Sequence, residues 1–161
     1  MNCTSHLVFS CIALGAVSPI ASANNEHHGG IDHQAHPHHL SVLVGNTDLD
    51  NEGSGFTLGI DYEYRVNDVL GLGVVAEYAR GDLEAWTYLL VADIHITNQW
   101  ILQVGPGTEH TDKHDLFVAR LGTLYEFEFE GGWTLAPQIH YDYHDGGDDA
   151  IVYGVALGMA F

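Results

Sequence analysis

The sequence is poor in cysteine and in basic residues, and both shortages narrow the possible functions. Its two cysteines, Cys3 and Cys11, lie within the first 23 residues. A chain cleaved after that segment would therefore contain no disulfide. Lys and Arg together number 4 against 22 Asp and Glu, and the formal net charge is −18. Phosphate binding needs clustered basic side chains, so the composition argues against nucleic acid as a partner.

Long apolar runs are also missing. The longest mostly apolar stretch, Leu7 to Val17, has the length of a secretory h-region and is too short to cross a bilayer as a helix. Ala21, Ser22 and Ala23 follow it in the small-x-small pattern that signal peptidase reads. We predict that residues 1–23 are a cleaved signal peptide. Ser41 and Ser54 are the only serines after it.

Residues 24–39 are rich in histidine and contain one aliphatic side chain besides alanine, so they cannot bury enough apolar surface to fold alone. We predict a flexible segment. Closely spaced neutral imidazoles can bind Zn²⁺, Cu²⁺ or Ni²⁺, although a solvated linker would have the same composition. The candidate metal ligands are His27, His28, His33, His36, His38 and His39.

From Leu40 onward, apolar residues alternate with polar ones and no helical period is present. Between Phe56 and Val66, for example, aromatic and aliphatic side chains fall on one face, while Asp61 and Glu63 fall on the other. Short connections require neighbouring strands to be antiparallel. The sequence predicts an all-β fold for residues 40–161, an eight-stranded antiparallel up-and-down β-barrel. Its predicted strands are 39–47, 56–66, 69–80, 85–97, 100–109, 114–129, 133–144 and 150–161.

Four features predict that the apolar face points outward into a membrane. Aromatic residues occur at both ends of that face with aliphatic residues between them, as at two membrane interfaces. The polar face is rich in glycine, which makes room in a narrow lumen. The strands are long enough to span a bilayer when tilted. The connections 48–54, 81–84, 110–113 and 145–149 are predicted to be longer outer loops, and 67–68, 97–99 and 130–132 to be short inner turns.

The last strand has a pattern that is typical of a known family. Phe161 ends the chain, and Tyr153, Val155, Leu157 and Met159 alternate before it. This pattern resembles the C-terminal signature of bacterial outer-membrane barrels, and the stretch 40–161 resembles the small eight-stranded family of the OmpA transmembrane domain, OmpX and the opacity-type proteins. The resemblance implies a monomer in the bacterial outer membrane. Its partners would be outer-membrane lipids and, during biogenesis, the barrel-assembly machinery.

The lumen face contains many carboxylates and two arginines, Arg65 and Arg120. Such a composition predicts a filled polar lumen in which each guanidinium bridges carboxylates. A cation path or proton relay is the alternative. Neither Ser41 nor Ser54 has a plausible general base, so we predict no enzymatic activity and no required cofactor. The predicted function is a structural or surface role in the outer membrane, with transition-metal binding by the histidine-rich segment as the alternative.

Overall fold

The structure, a computed structural model, describes residues 36–49, 53–81, 83–112 and 115–161. β-strands cover most of these residues, and no helix in the described part of the chain is long and apolar enough to cross a membrane. The strands are β1 His38–Leu49, β2 Gly53–Arg65, β3 Leu70–Gly81, β4 Ala85–His95, β5 Trp100–His110, β6 Asp115–Tyr125, β7 Phe127–Glu128, β8 Trp133–His144 and β9 Ala150–Ala160.

The strands close into one barrel. Each strand pairs antiparallel with its neighbour along the chain, and β1 also pairs with β9. β6 and β7 keep a single register against β8, from Val118 opposite His144 to Glu128 opposite Thr134, so together they are one strand of the barrel. The barrel therefore has eight strands, and the predicted up-and-down topology is confirmed.

The stagger of the strands fixes the shape of the barrel. We can start at His38 and step from each residue to the residue paired with it on the next strand. One circuit of the barrel then returns to β1 at Asp48, a shift of ten residues. With the usual spacing of antiparallel strands, this shift corresponds to a tilt of about 41° from the barrel axis. A strand of 11 residues, such as β4, then rises about 28 Å, enough to cross the apolar band of an outer membrane.

Side chains alternate between exterior and lumen as predicted. In β4, Leu90 is 65% exposed, whereas the adjacent Val91 is 4% exposed. The other strands follow the same rule, with aliphatic and aromatic residues outside and most charged residues inside. This arrangement is the reverse of a soluble barrel, and the predicted phase is confirmed.

The three connections at one rim share a compact form. We call this the inner rim, since β1 begins there and β9 ends there. In the first turn, the Asn67 side-chain oxygen accepts the backbone N–H groups of Val69 (2.9 Å) and Leu70 (3.0 Å). In the second, the Thr97 hydroxyl accepts those of Gln99 (3.2 Å) and Trp100 (2.9 Å). Both residues cap the turn with their own side chains, as Asx and ST turns do.

The predicted asymmetry in loop length is wrong. At the outer rim, the connections between strands are residues 50–52, 82–84, 111–114 and 145–149, no longer as a group than the inner turns 66–69, 96–99 and 129–132. The reason is visible between β1 and β2, where Asp48 pairs with Ser54 and Leu49 pairs with Gly53. Polar and glycine residues that suggested a loop continue the ladder instead.

Pro106 interrupts the ladder between β4 and β5. Pairing stops after Leu89 opposite Gly107 and resumes at Ala92 opposite Val104. Proline has no N–H group to donate, which accounts for the gap. Pro106 is exposed on the exterior and keeps its place opposite Ala119 of β6. The strand is therefore maintained by its other neighbour.

The first strand begins earlier than predicted. β1 starts at His38, one residue before the predicted strand 39–47, so the last two residues of the predicted histidine-rich segment, His38 and His39, belong to the barrel. Pro37 continues the contact, since its carbonyl accepts the N–H of Arg65 at 2.7 Å. The predicted signal peptide, residues 1–23, and most of the histidine-rich segment lie outside the described residues, so these two assignments stay predictions.

Candidate functional site in the barrel lumen

An arginine clamp crosses the lumen in its outer half. Arg120 of β6 is 3% exposed and binds Glu77 of β3 through two hydrogen bonds, Nη1 to Oε1 at 2.7 Å and Nη2 to Oε2 at 2.6 Å. Its Nε and Nη2 atoms also donate to Asp142 of β8, at 2.8 Å and 2.7 Å. β3 and β6 are separated by two strands, so the clamp spans the lumen rather than lining its wall. The predicted bridging of carboxylates by this guanidinium is confirmed.

An amide bridge spans the lumen nearer its inner end. Gln103 of β5 is 1% exposed, and its Nε2 atom donates to Asp61 Oδ2 of β2 and to Asp93 Oδ1 of β4, each at 3.0 Å. Polar bridges thus cross the lumen at two levels. The lumen also contains an apolar cluster formed by Val75, Leu89, Val91 and Val118.

The inner mouth contains a third polar group. Glu63 accepts a hydrogen bond from His95 Nε2 at 2.8 Å and lies 3.3 Å from Arg65 Nε. Across the mouth, His39 Nε2 lies 2.8 Å from Thr134 Oγ1 and 3.6 Å from Glu126 Oε2. Arg65, the second predicted lumen arginine, is paired with Glu63 of its own strand and makes no second ion pair in the described residues. The predicted bridging of carboxylates is therefore not found for this arginine.

The outer mouth is held by weaker polar contacts. His144 Nε2 lies 3.3 Å from Glu109 Oε2, and Thr87 donates to the same oxygen at 3.4 Å. The connection 145–149 is anchored by Asp149, which accepts the Tyr141 hydroxyl and the backbone N–H of His144. These hydrogen bonds, with that from Tyr141 the largest influence, hold the pKa of Asp149 below its usual range.

Glycines make room for the larger lumen side chains, as predicted. A Cβ atom at Gly122 would overlap the imidazole of His140, and one at Gly71 would overlap the carboxylate of Glu63. His140 is 1% exposed, and neither ring nitrogen has a hydrogen-bond partner. Glycine at these positions is a packing requirement, because the lumen of an eight-stranded barrel is narrow.

The exterior forms an apolar belt between two sets of aromatic residues. Leu90, Ile60 and Leu121 are each more than half exposed at the level of the belt. Exposed apolar surface of this extent, wrapped around a charged interior, fits a bilayer and not water. The aromatic residues are Tyr64, Trp100, Phe127, Phe129, Trp133 and Phe161 toward the inner rim, and Phe56, Tyr78, Trp86, Phe117, Tyr141, Tyr143 and Tyr153 toward the outer rim.

Known structures share this architecture. The N-terminal β-barrel domain of Pseudomonas aeruginosa OprF superposes with a TM-score of 0.60 at 13% identity, covering 78% of this chain and 98% of that one. The chain has the fold of the small eight-stranded outer-membrane β-barrels. A de novo designed transmembrane β-barrel gives a TM-score of 0.51 at 17% identity, over 75% of this chain and 95% of that one. Neisserial surface protein A gives 0.48 at 15% identity, over 77% and 96%. No protein-family model and no curated protein sequence matches the chain.

In this outer-membrane barrel, two of the predicted metal ligands are adjacent on β1 and lie on opposite sides of the barrel wall. His38 faces outward, stacks on Phe161 at 5.5 Å between ring centroids, and has Nδ1 2.8 Å from the Tyr62 hydroxyl. His39 faces the lumen, and His36 is exposed before β1. In the described residues, no three His, Cys, Asp or Glu side chains converge as a metal site. His27, His28 and His33 lie outside those residues, so metal binding there stays a prediction.

The barrel also contains one group that resembles a catalytic triad in composition but not in geometry. Thr134, His39 and Glu126 meet at the inner mouth, yet both Thr134 and Glu126 approach the same ring nitrogen, Nε2. A general base needs the acid on its other nitrogen. Ser41 lies on β1 and lines a small inner cavity, whereas Ser54 is exposed on β2. Neither serine has a histidine among its hydrogen-bond partners in the described residues.

Sequence reasoning identified the lumen residues but not the bridge made by Gln103. Its signal was a polar residue on the lumen face of a strand, between Ile101 and Gly105. A neutral glutamine does not by itself indicate a partner, whereas a charged lumen residue indicates an opposite charge nearby. Its importance depends on which strands lie across the lumen, and that depends on the stagger.

Proposed function

We propose that the protein is a non-conducting, non-catalytic barrel with a structural or surface role in the outer membrane. The observation that carries this proposal is the Arg120 clamp, whose four short hydrogen bonds to Glu77 and Asp142 occupy the lumen. Charge-assisted bidentate bonds are among the strongest that proteins make. The Gln103 bridge lies across the lumen at a second level and would have to open as well.

The surface role is compatible with the shape of the outer rim. The connections between strands at this rim are three to five residues long, so contacts with a partner would involve strand ends and short connections rather than long loops. The described outer connections and neighbouring strand ends are rich in aspartate, including Asp112, Asp115, Asp145, Asp148 and Asp149. An acidic rim with short connections favours a structural role in the membrane over the capture of large ligands by loops.

Planar-bilayer recordings test the closed lumen. The purified full chain should give no large, stable, ohmic conductance, and Gln103→Ala should behave the same way because the Arg120 clamp remains. A barrel lacking both closures, Gln103→Ala with Arg120→Ala, provides the comparison and should show more conducting events. Stable ohmic channels from the wild-type protein would contradict the proposal.

A further inference from the structure

Asp61 is half-buried and Asp93 is buried, and neither carboxylate has a cationic partner in the described residues. Asp93 is 3% exposed, and the Oδ1 atom of Asp61 is buried with no hydrogen bond. Both carboxylates accept from Gln103 Nε2 at 3.0 Å, so the two bonded oxygen atoms can be no farther apart than twice that distance. Two negative charges at such a separation, away from water, repel each other strongly.

The cations that face the pair are already engaged. From β2 and β4, Arg65 and His95 contact Glu63. From β6, Arg120 binds Glu77 and Asp142.

Two other groups face the pair, and both are histidines. His39 of β1 lies near Glu126, between β6 and β7. His140 of β8 has no hydrogen-bond partner. No ion pair in the described residues includes Asp61 or Asp93, and their shared hydrogen-bond donor, Gln103, is neutral. Neither carboxylate is therefore in direct contact with a cationic side chain.

A metal ion is a poor candidate for the missing positive charge. The small cavity beside Asp61 and Asp93 is lined by Ser41, Glu63 and Glu126 among others. Within the part of the chain that the structure describes, no three acidic or histidine side chains converge as metal ligands. A proton needs one oxygen atom and almost no space. Asp61 Oδ1 is an oxygen without a partner, and Gln103 donates to one oxygen of each carboxylate whether or not the pair carries a proton.

We propose that Asp61 and Asp93 together hold one proton in the folded barrel at neutral pH. In the unfolded chain both carboxylates are solvated and lose their protons near pH 4, as ordinary aspartates do. The folded state therefore binds one proton more than the unfolded state above that pH. By linkage, folding becomes less favourable as the pH rises, until the folded barrel also releases the proton. The barrel is thus stabilised by mild acid.

Unfolding of the full chain by urea in lipid vesicles, measured from pH 5 to pH 9, tests the proposal. In the wild type, the folding equilibrium constant should fall by up to about tenfold per pH unit over the range in which the extra proton is held. Asp93→Asn should remove much of this slope, since an amide needs no proton. Asp68→Asn makes the same chemical change on an exposed side chain of an inner turn and should retain the wild-type slope. Parallel pH profiles for the wild type, Asp93→Asn and Asp61→Asn would overturn the proposal.

Infrared spectroscopy of the folded wild type provides a test that does not depend on a variant that folds well. At pH 7 the spectrum should contain the carbonyl stretch of one protonated carboxylic acid. The band should be lost in whichever of Asp61→Asn and Asp93→Asn assembles, and retained in Asp68→Asn. A folded wild type with no such band at pH 7 would refute the proposal. Neither result affects the closed lumen, which is tested by conductance.

Discussion

Arginine substitutions at two equally exposed positions would show whether depth in the bilayer controls stability. Leu90 and Ile96 are both 65% exposed on the exterior. Leu90 is the middle residue of β4, whereas Ile96 lies just beyond its inner end. With the strand tilt of about 41°, the six-residue separation places Ile96 about 15 Å nearer the inner rim. The two sites therefore differ in depth while matching in exposure.

The expected costs follow from that difference in depth. Arginine at the midplane of a transmembrane barrel costs about 2–4 kcal/mol, and the cost falls to about 0–1 kcal/mol near the interface. Leu90→Arg should therefore reduce the free energy of unfolding by about 2–4 kcal/mol, and Ile96→Arg by about 1 kcal/mol or less. Reversible urea unfolding in lipid vesicles, followed by tryptophan fluorescence, measures both.

Equal effects at the two positions would refute this reasoning. In a soluble barrel, both side chains would face water, and a surface substitution would change stability by about 0.5 kcal/mol or less at either site. A small effect of Leu90→Arg, similar to that of Ile96→Arg, would therefore contradict the membrane assignment. Leu90→Ala is the control for loss of the leucine side chain alone.

Four further predictions follow from the closed barrel and its sites. The folded protein should migrate differently on detergent gels before and after boiling, because a closed barrel has no free edge; identical migration would argue against closure. Glu77→Ala should destabilise the barrel by about 3–5 kcal/mol by leaving Arg120 incompletely paired, whereas Glu84→Ala on the exposed outer connection should have little effect in the same urea titration. Deletion of Phe161 should lower the yield of assembled barrel on such gels, since its backbone pairs with His38 and its ring stacks on the same residue; an unchanged yield would show that these contacts are dispensable. We also propose that the histidine-rich segment binds Zn²⁺, Cu²⁺ or Ni²⁺: calorimetric titration should show weaker binding after joint replacement of His27, His28, His33 and His36 by alanine, and unchanged binding after His38→Ala, because His38 is occupied with Tyr62 and Phe161.

The sequence was sufficient to predict the strands and their faces because both depend on a local pattern. Alternation around Leu90 and Val91 assigns each residue to exterior or lumen without reference to any other strand. The contacts across the lumen are not local. Arg120 of β6 meets Glu77 of β3 across the lumen only because the barrel has a stagger of ten residues. No single strand contains that information. The outer loops were predicted too long for a related reason, since Asp48 and Ser54 suggest a turn but pair with each other.

We expect the pairing of β1 with β9 to be the last ladder that forms. Every other ladder joins strands that follow one another, so those contacts can form as short hairpins. The final ladder joins His39 to Ala160 and Leu49 to Ala150, residues at opposite ends of the barrel sequence. Contacts between distant residues are slow to form, because the entropy of closing the loop must be overcome first. Until that last step, two strand edges with unpaired backbone groups would face the bilayer, where such groups are costly. A chain that stops before β9 would keep those edges permanently, so this protein can complete its fold only after its last strand has been synthesised.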